Sequence, residues 1–212
     1  MSRIRIINYG VGNLYSAFKG CKRFVDDVLL TEDPEELRKA DALVLPGQGA
    51  FHAGMEGLQV RGLLDVVKDF AAAGKPVLGI CLGAQILLSK GYEFGEWEGL
   101  GIIPGDVVHF PELKSGTVIP HMGWNSLDEA RPGAWKSTTL EGIPAGSEMY
   151  FIHSYIMRPA DKKDILAETE YGGCRFASVI GRGNVIGCQF HPEKSGPTGL
   201  KIVERFVRNS KM

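Results

Sequence analysis

Along the first ninety positions, short apolar runs alternate with amphipathic stretches. Residues 3–9 alternate toward a buried strand, and the turn-forming Gly10-Val11-Gly12-Asn13 leads into a helix over about 14–24. A short strand fits 28–30. Asp33 is placed to cap the next helix, with Pro34 at its first helical position and Glu35 and Glu36 behind it. Ala42-Leu43-Val44-Leu45-Pro46 is apolar throughout, as expected of a strand covered on both faces. A glycine-rich loop follows, and 63–73 fits a helix that ends at Gly74. Residues 75–81 form another covered strand, and a helix then runs to about residue 90. Such alternation with short connections predicts an α/β fold with a parallel, doubly wound sheet.

The second half changes character. Residues 99–110, 117–125, 148–158 and 165–171 fit strands separated by turns rich in glycine and proline. Residues 175–180 and 185–190 flank Gly181-Arg182-Gly183-Asn184, a hairpin connection, and an amphipathic helix over 198–209 closes the pattern. An antiparallel region is therefore added to the parallel core. With no repeat, low-complexity tract or linker, one domain spanning 1–212 is the simplest organisation.

Composition narrows the class. Hydrophobic residues make up 44% and charged residues 23%, and 24 basic against 25 acidic side chains leave a net charge of −1. That balance argues against nonspecific binding of nucleic acid or of an anionic membrane surface. No apolar run is long enough to span a bilayer, and the first residues carry no secretory or mitochondrial pattern. The four cysteines, at 21, 81, 174 and 188, show no CxxC spacing. A cytoplasmic enzyme or enzyme subunit is expected, with Cys21, Cys174 and Cys188 as small buried hydrophobes. His52, His109 and His121 lack the spacing of a metal cluster, and His153, within a strand, fits a hydrogen-bonded structural role.

Cys81 stands apart. Gly79-Ile80-Cys81-Leu82-Gly83 falls at a strand-to-helix junction, where flanking glycines permit a tight turn. The helix beginning after it offers free N–H groups that favour a thiolate and an oxyanion. On this pentapeptide alone, a nucleophile and a cysteine packed between two glycines are both open readings. Gln189-Phe190-His191-Pro192-Glu193 adds to the first. With one extended residue between them, His191 and Glu193 face the same side. A cysteine nucleophile needs a base that later serves as an acid, and a carboxylate to orient that imidazole.

Gly79-Ile80-Cys81-Leu82-Gly83-Ala84-Gln85, taken with Phe190-His191-Pro192-Glu193, resembles the class I (triad) glutamine amidotransferases. Within them, residues 120–125, 150–155 and 191–195 are similar to the glutaminase subunits that feed a cyclase of histidine biosynthesis. The resemblance runs from Ile4 to about Val207. It implies a flavodoxin-like core and hydrolysis of L-glutamine to glutamate and ammonia. It also implies no metal or organic cofactor, and a heterodimer with a cyclase (synthase) subunit or a paralogue of it that consumes the ammonia.

Residue by residue, the resemblance makes Cys81 the nucleophile, His191 the general base and then acid, and Glu193 the group orienting His191. It puts oxyanion-binding backbone N–H groups at Gln48 and Leu82, and glutamine-binding residues at Gly49, Gln85, Glu93, Ser154 and Tyr155. Asn13, Met122, Trp124, Tyr150 and Lys194 fall on the face toward the partner. Gln85 lies about one helical turn beyond Cys81 and can share its side. The chain departs from the family in two places. Gln48 replaces a small apolar residue, and Gly91-Tyr92-Glu93 replaces a run of Ser-Glu-Glu, which leaves Glu96 as a second candidate for the ammonium of the substrate. A paralogous glutaminase serving an amidinating enzyme of surface-sugar synthesis shares the chemistry. A cysteine hydrolase of other amides or esters shares only the elbow. Against a catalytically silent scaffold stands the intact set Cys81, His191 and Glu193.

Overall fold

A computed structural model describes residues 2–210. Strand β1 (Ile4–Ile7) is followed by helix α1 (Leu14–Lys22), β2 (Val28–Thr31), α2 (Pro34–Arg38) and β3 (Ala42–Leu45). The Asn13 and Asp33 side chains cap α1 and α2 by accepting from the N–H groups of Ser16 and Glu35. Next come α3 (Phe51–Val60), α4 (Leu64–Ala72), β4 (Val77–Ile80) and the single turn α5 (Leu82–Gln85). The chain continues through β5 (Lys90–Gly91), β6 (Trp97–Glu98), β7 (Gly105–His109), β8 (His121–Ser126) and β9 (Asp128–Glu129). Strands β10 (Glu148–His153), β11 (Tyr155–Pro159), β12 (Ile165–Tyr171), β13 (Cys174–Arg182) and β14 (Val185–Cys188) precede the last helix, α6 (Gly196–Asn209).

The main sheet has the order β2-β1-β3-β4-β14-β13-β11-β7-β5-β6. From β2 to β14 every pairing is parallel, and β13 then returns antiparallel to β14. Alternate residues of the central strands enter two separate cores. Ile4, Ile6, Val44, Leu78 and Ile80 pack on one side with Ile202, Val203 and Phe206 of α6. Ile7, Leu43, Leu45 and Val77 pack on the other with Leu58 of α3 and Val66, Val67 and Phe70 of α4. Helices on both faces explain why β3 and β4 carry no polar side chain. No helix among the described residues is long and apolar enough to cross a membrane.

Several expected elements differ in detail. The glycine-rich stretch after β3 contains α3, ten residues of helix. Its Gly54 and Gly57 suggest a loop, yet a Cβ on Gly57 would stand 2.1 Å from the Tyr9 carbonyl oxygen. Close packing of the helix on β1 requires glycine there. The helix after Cys81 stops at Gln85, because the backbone of Ile86, Leu87 and Leu88 instead accepts hydrogen bonds from residues 100–103. Within 99–110, only Gly105–His109 is strand. The stretch 148–158 is broken at Ser154, where the chain leaves a two-stranded ribbon of β8 and β10 and enters the main sheet as β11.

Candidate active site

Strand β4 is fully buried, so the residue after it must turn sharply to reach α5. Cys81 makes that turn at φ 53° and ψ −111°. A side chain with a β-carbon resists this conformation, at a cost of about 1–3 kcal/mol. The surroundings hold it. The Cys81 N–H donates to the Cys188 carbonyl at 2.8 Å, extending the β4–β14 ladder, and the Ala84 and Gln85 N–H groups donate to the Cys81 carbonyl. Gly83 lies directly on the end of β3, where a Cβ would stand 1.7 Å from the Leu45 carbonyl oxygen. The thiol is left 3.8 Å from the Ile152 carbonyl oxygen and 3.9 Å from the Gln189 side-chain nitrogen.

The 110 residues between Cys81 and His191 collapse to the spacing of two parallel strands. Ile80 and Cys188 are register partners, so the chain leaving β14 delivers His191 beside the elbow. His191 Nδ1 and Glu193 Oε1 are 2.9 Å apart, and both side chains are only 3% exposed. Gly20 of α1 makes room for the carboxylate, since a Cβ there would stand 3.2 Å from the Glu193 Cβ. His191 Nε2 makes no hydrogen bond among the described residues. Cys81 bears on the imidazole electrostatically, with no hydrogen bond between them among the described residues.

Burial alone pushes His191 toward the neutral form, but its interactions with Cys81 and Glu193 outweigh it and raise the pKa to about 9. Since that lies above the ordinary value of 6.5, the group contributes stability that is fully present below about pH 6.5. The contribution is lost as pH rises through about 9. Thermal melts from pH 6 to 10 are therefore expected to show a fall in Tm through the upper half of that range. Glu193→Gln should flatten this fall, and an unchanged slope in the variant would contradict the assignment.

Gln48, Gly49, Cys81, Leu82, Gln85, Glu93, Ser154 and Tyr155 line one cleft of about 210 Å³, with Pro120, Ile152 and His153 completing its wall. Its two candidate oxyanion donors are available: neither the Gln48 nor the Leu82 N–H donates to another protein group among the described residues. The Tyr9 hydroxyl, wholly buried, donates to the Pro46 carbonyl and pins the start of that loop. Gln85 is more committed than its position suggests, because its amide nitrogen donates to the Tyr155 carbonyl and to Gln189 Oε1, each at 3.1 Å. Glu93 enters the cleft and Glu96 does not. One Glu93 oxygen accepts from the Phe51 N–H at 2.7 Å, whereas Glu96 pairs with Lys90 at the surface. A larger cavity of about 610 Å³ opens at the opposite end of β4 and β14, between Lys75, Thr138, Asn184 and Phe206, and contains none of these residues.

The β8–β10 ribbon has two unlike faces. Inward, His121 and His153 hydrogen-bond to each other at 3.1 Å among Phe110, Phe151, Tyr171 and Phe176, and His153 Nδ1 also meets the Tyr155 carbonyl. Burial pulls the His153 pKa down to about 3, consistent with a neutral structural imidazole. Outward, Met122 and Trp124 are 64% and 51% exposed, so core packing does not account for them. Trp124 pairs across the strands with half-buried Tyr150, ring centroids 6.0 Å apart. Half-buried Lys194 follows in the turn after His191, and exposed Asn13 stands on a separate element at the start of α1.

Two contributors escape a reading of the sequence. Gln189 braces Gln85 and reaches the thiol, while Ser195 accepts from the Tyr150 N–H and donates to the His191 carbonyl. Both lie inside or beside the His191 motif, but nothing in their residue type announces the role.

A strained cysteine at a strand-to-helix elbow, a buried imidazole–carboxylate pair and a narrow cleft with free backbone donors come together at one end of the parallel sheet. The family model for class-I glutamine amidotransferases matches residues 6–210, and the chain belongs to that family. Among its relatives is imidazole glycerol phosphate synthase subunit HisH 1 of Legionella pneumophila (strain Lens), 48% identical across 98% of this chain and 100% of that protein. The HisH subunit of Lactococcus lactis subsp. lactis (strain IL1403) is 44% identical across 98% of each. The fold is shared more widely. A solved structure of PurLQS from Thermotoga maritima aligns over 100% of both chains with TM-score 0.75 at 18% identity. A crystal structure described as glutamine amidotransferase covers 98% of this chain and 99% of its own, with TM-score 0.73 at 19% identity.

Proposed function

We propose that the chain is the glutaminase subunit of an imidazole glycerol phosphate synthase, acting in the cytoplasm as one glutaminase domain over 1–212. It hydrolyses L-glutamine to L-glutamate and ammonia. Its partner is a cyclase subunit of the HisF type, which uses the ammonia to make imidazole glycerol phosphate and AICAR in histidine biosynthesis. The observation that carries the chemistry is a strained Cys81 that opens on the cleft at the end of β4, with His191, held by Glu193 at 2.9 Å, delivered by the neighbouring strand β14. Identity of 44–48% over nearly the whole chain to HisH subunits supports the pathway.

In this reading the Cys81 thiolate attacks the side-chain carbonyl carbon of glutamine, and the charge developing on its oxygen is met by the Leu82 and Gln48 N–H groups. His191 takes up the thiol proton and then gives it to the amide nitrogen, which leaves as ammonia. The glutamyl thioester that remains is cleaved by water, with His191 taking a proton from it and returning it to the thiol. Glu93 is the group for the substrate ammonium. Gln85, tied to both walls, holds the shape of the pocket. Ammonia released here must cross to the second site without meeting bulk water, and the exposed face of Met122 and Trp124, beside Tyr150 and Lys194, is the surface suited to a sealed junction.

Glutamate release, measured for the chain alone and with the histidine-pathway cyclase and its ribonucleotide ligand, tests the proposal. Strong activation by that pair is expected. Absence of activation in a chain still labelled at Cys81 by a glutamine analogue would transfer the assignment to the surface-sugar paralogue.

A further inference from the structure

Glu93 lies in the connection between β5 and β6. Strands β5 and β6 pair over only two positions, Lys90 with Glu98 and Gly91 with Trp97. Strand β5 also pairs with β7 at the same two positions and the Tyr92 N–H donates to the Val107 carbonyl at 2.9 Å, so the main sheet anchors the chain as far as Tyr92. The connection includes Phe94 at φ 55°, 82% exposed, and Gly95 at φ 140°. Glu93 lies one residue past the Tyr92 anchor, and its carboxylate needs fixing by other contacts.

That fixing comes from the first two residues of α3. The Trp97 indole N–H donates to the Glu93 carbonyl at 3.0 Å, closing the loop on itself. The same indole stacks on His52, with centroids 5.1 Å apart and planes 29° from parallel. One residue earlier, the Phe51 N–H donates to the Glu93 carboxylate at 2.7 Å. Ala50 offers no side-chain cap to α3, so Glu93 satisfies that helix end from across the cleft. Both the main chain and the side chain of Glu93 are thus referenced to Phe51 and His52. His52 Nδ1 is buried with no hydrogen-bond partner among the described residues, and the ring packs against Trp97.

We propose that Trp97 and His52 are positioning residues for Glu93, and through it set the enzyme's selectivity for substrates bearing an α-ammonium. The inference rests on the reading of the cleft as a glutamine site. Neither ring touches the reacting atoms, so the two residues govern affinity for the ammonium end and leave the chemistry at Cys81 alone.

The test compares glutamine with 5-amino-5-oxopentanoate, the same side-chain amide without the α-ammonium, using the chain together with its synthase subunit. Trp97→Ala and His52→Ala are expected to raise the KM for glutamine about tenfold with kcat retained, the loss of one well-placed charge-assisted contact. Hydrolysis of the ammonium-free amide should not change. Trp97→Phe, which keeps an aromatic ring but loses the indole N–H, should show a smaller shift of the same kind and serves where Trp97→Ala folds poorly. Equal losses on both substrates, or no loss on either, would overturn the proposal. Glu93→Gln separates the two levels. If it abolishes the preference for glutamine while the Trp97 and His52 variants keep it, the positioning role fails and the glutamine site stands. If it too keeps the preference, Glu93 is not the ammonium site, and both fall.

Discussion

Replacing Cys81 by alanine or serine is expected to lower glutamine-dependent activity by about a thousandfold or more, as for other nucleophiles that act as one unit with their base. Ammonia-dependent synthesis by the assembled enzyme should persist. The contrast follows from how the elbow is held. Cys81 contributes its backbone to the ladder with Cys188 and to the first turn of α5, and neither contact uses the sulfur. The sulfur's own neighbours, the Ile152 carbonyl and the Gln189 amide at 3.8 and 3.9 Å, are weak contacts. Their loss spares the fold. Glutamate release and ammonia-dependent product formation, measured on the same preparation, check the result, and loss of both would mean that Cys81 supports the fold or the interface instead.

Gly83→Ala is expected to have the largest effect on stability. The new β-carbon would stand 1.7 Å from the Leu45 carbonyl oxygen and 2.7 Å from its carbon, and the obstruction is backbone in the centre of the sheet. No side-chain rotation relieves it, so β3 and α5 must separate. Overpacking of this kind costs about 3 kcal/mol or more, and in a chain of this length that lowers Tm by about 10 °C. Insoluble product or a melt shifted by that amount is the expected outcome. A variant that melts within a degree or two of the parent would show that the elbow is more compliant than its contacts indicate.

What the sequence discloses and what it conceals divide along physical lines. Strands buried on both faces, such as Ala42–Leu45 and Val77–Ile80, are legible because burial demands an unbroken apolar run. The cap at Asp33 is legible because its hydrogen bond is local. Helix α3 is concealed because its glycines answer to distant neighbours: Gly57 to the backbone of Tyr9, and Gly54 to the Leu82 side chain. The same holds at the site. Cys81, His191 and Glu193 stand in compact motifs, whereas the parts of Gln189 and Ser195 depend on contacts with Gln85 and Tyr150, 104 and 45 residues away. Exposure is likewise a property of the assembled fold. Nothing in the alternation of β8 distinguishes Met122 and Trp124, which face outward, from His121, which is wholly enclosed.

The ribbon of β8 and β10 has the layout of a lever. Its short arm is a closed triangle: the His191 N–H donates to the Tyr150 carbonyl, the Tyr150 N–H to the Ser195 hydroxyl, and that hydroxyl to the His191 carbonyl. Its long arm carries Met122 and Trp124 into solvent. Two residues beyond Tyr150 on the same strand, the Ile152 carbonyl rests against the Cys81 sulfur. Imidazole and thiol are therefore indexed to a single strand. Met122 and Trp124 pair across the ribbon with Ile152 and Tyr150, so the exposed face is joined to both groups through that one strand.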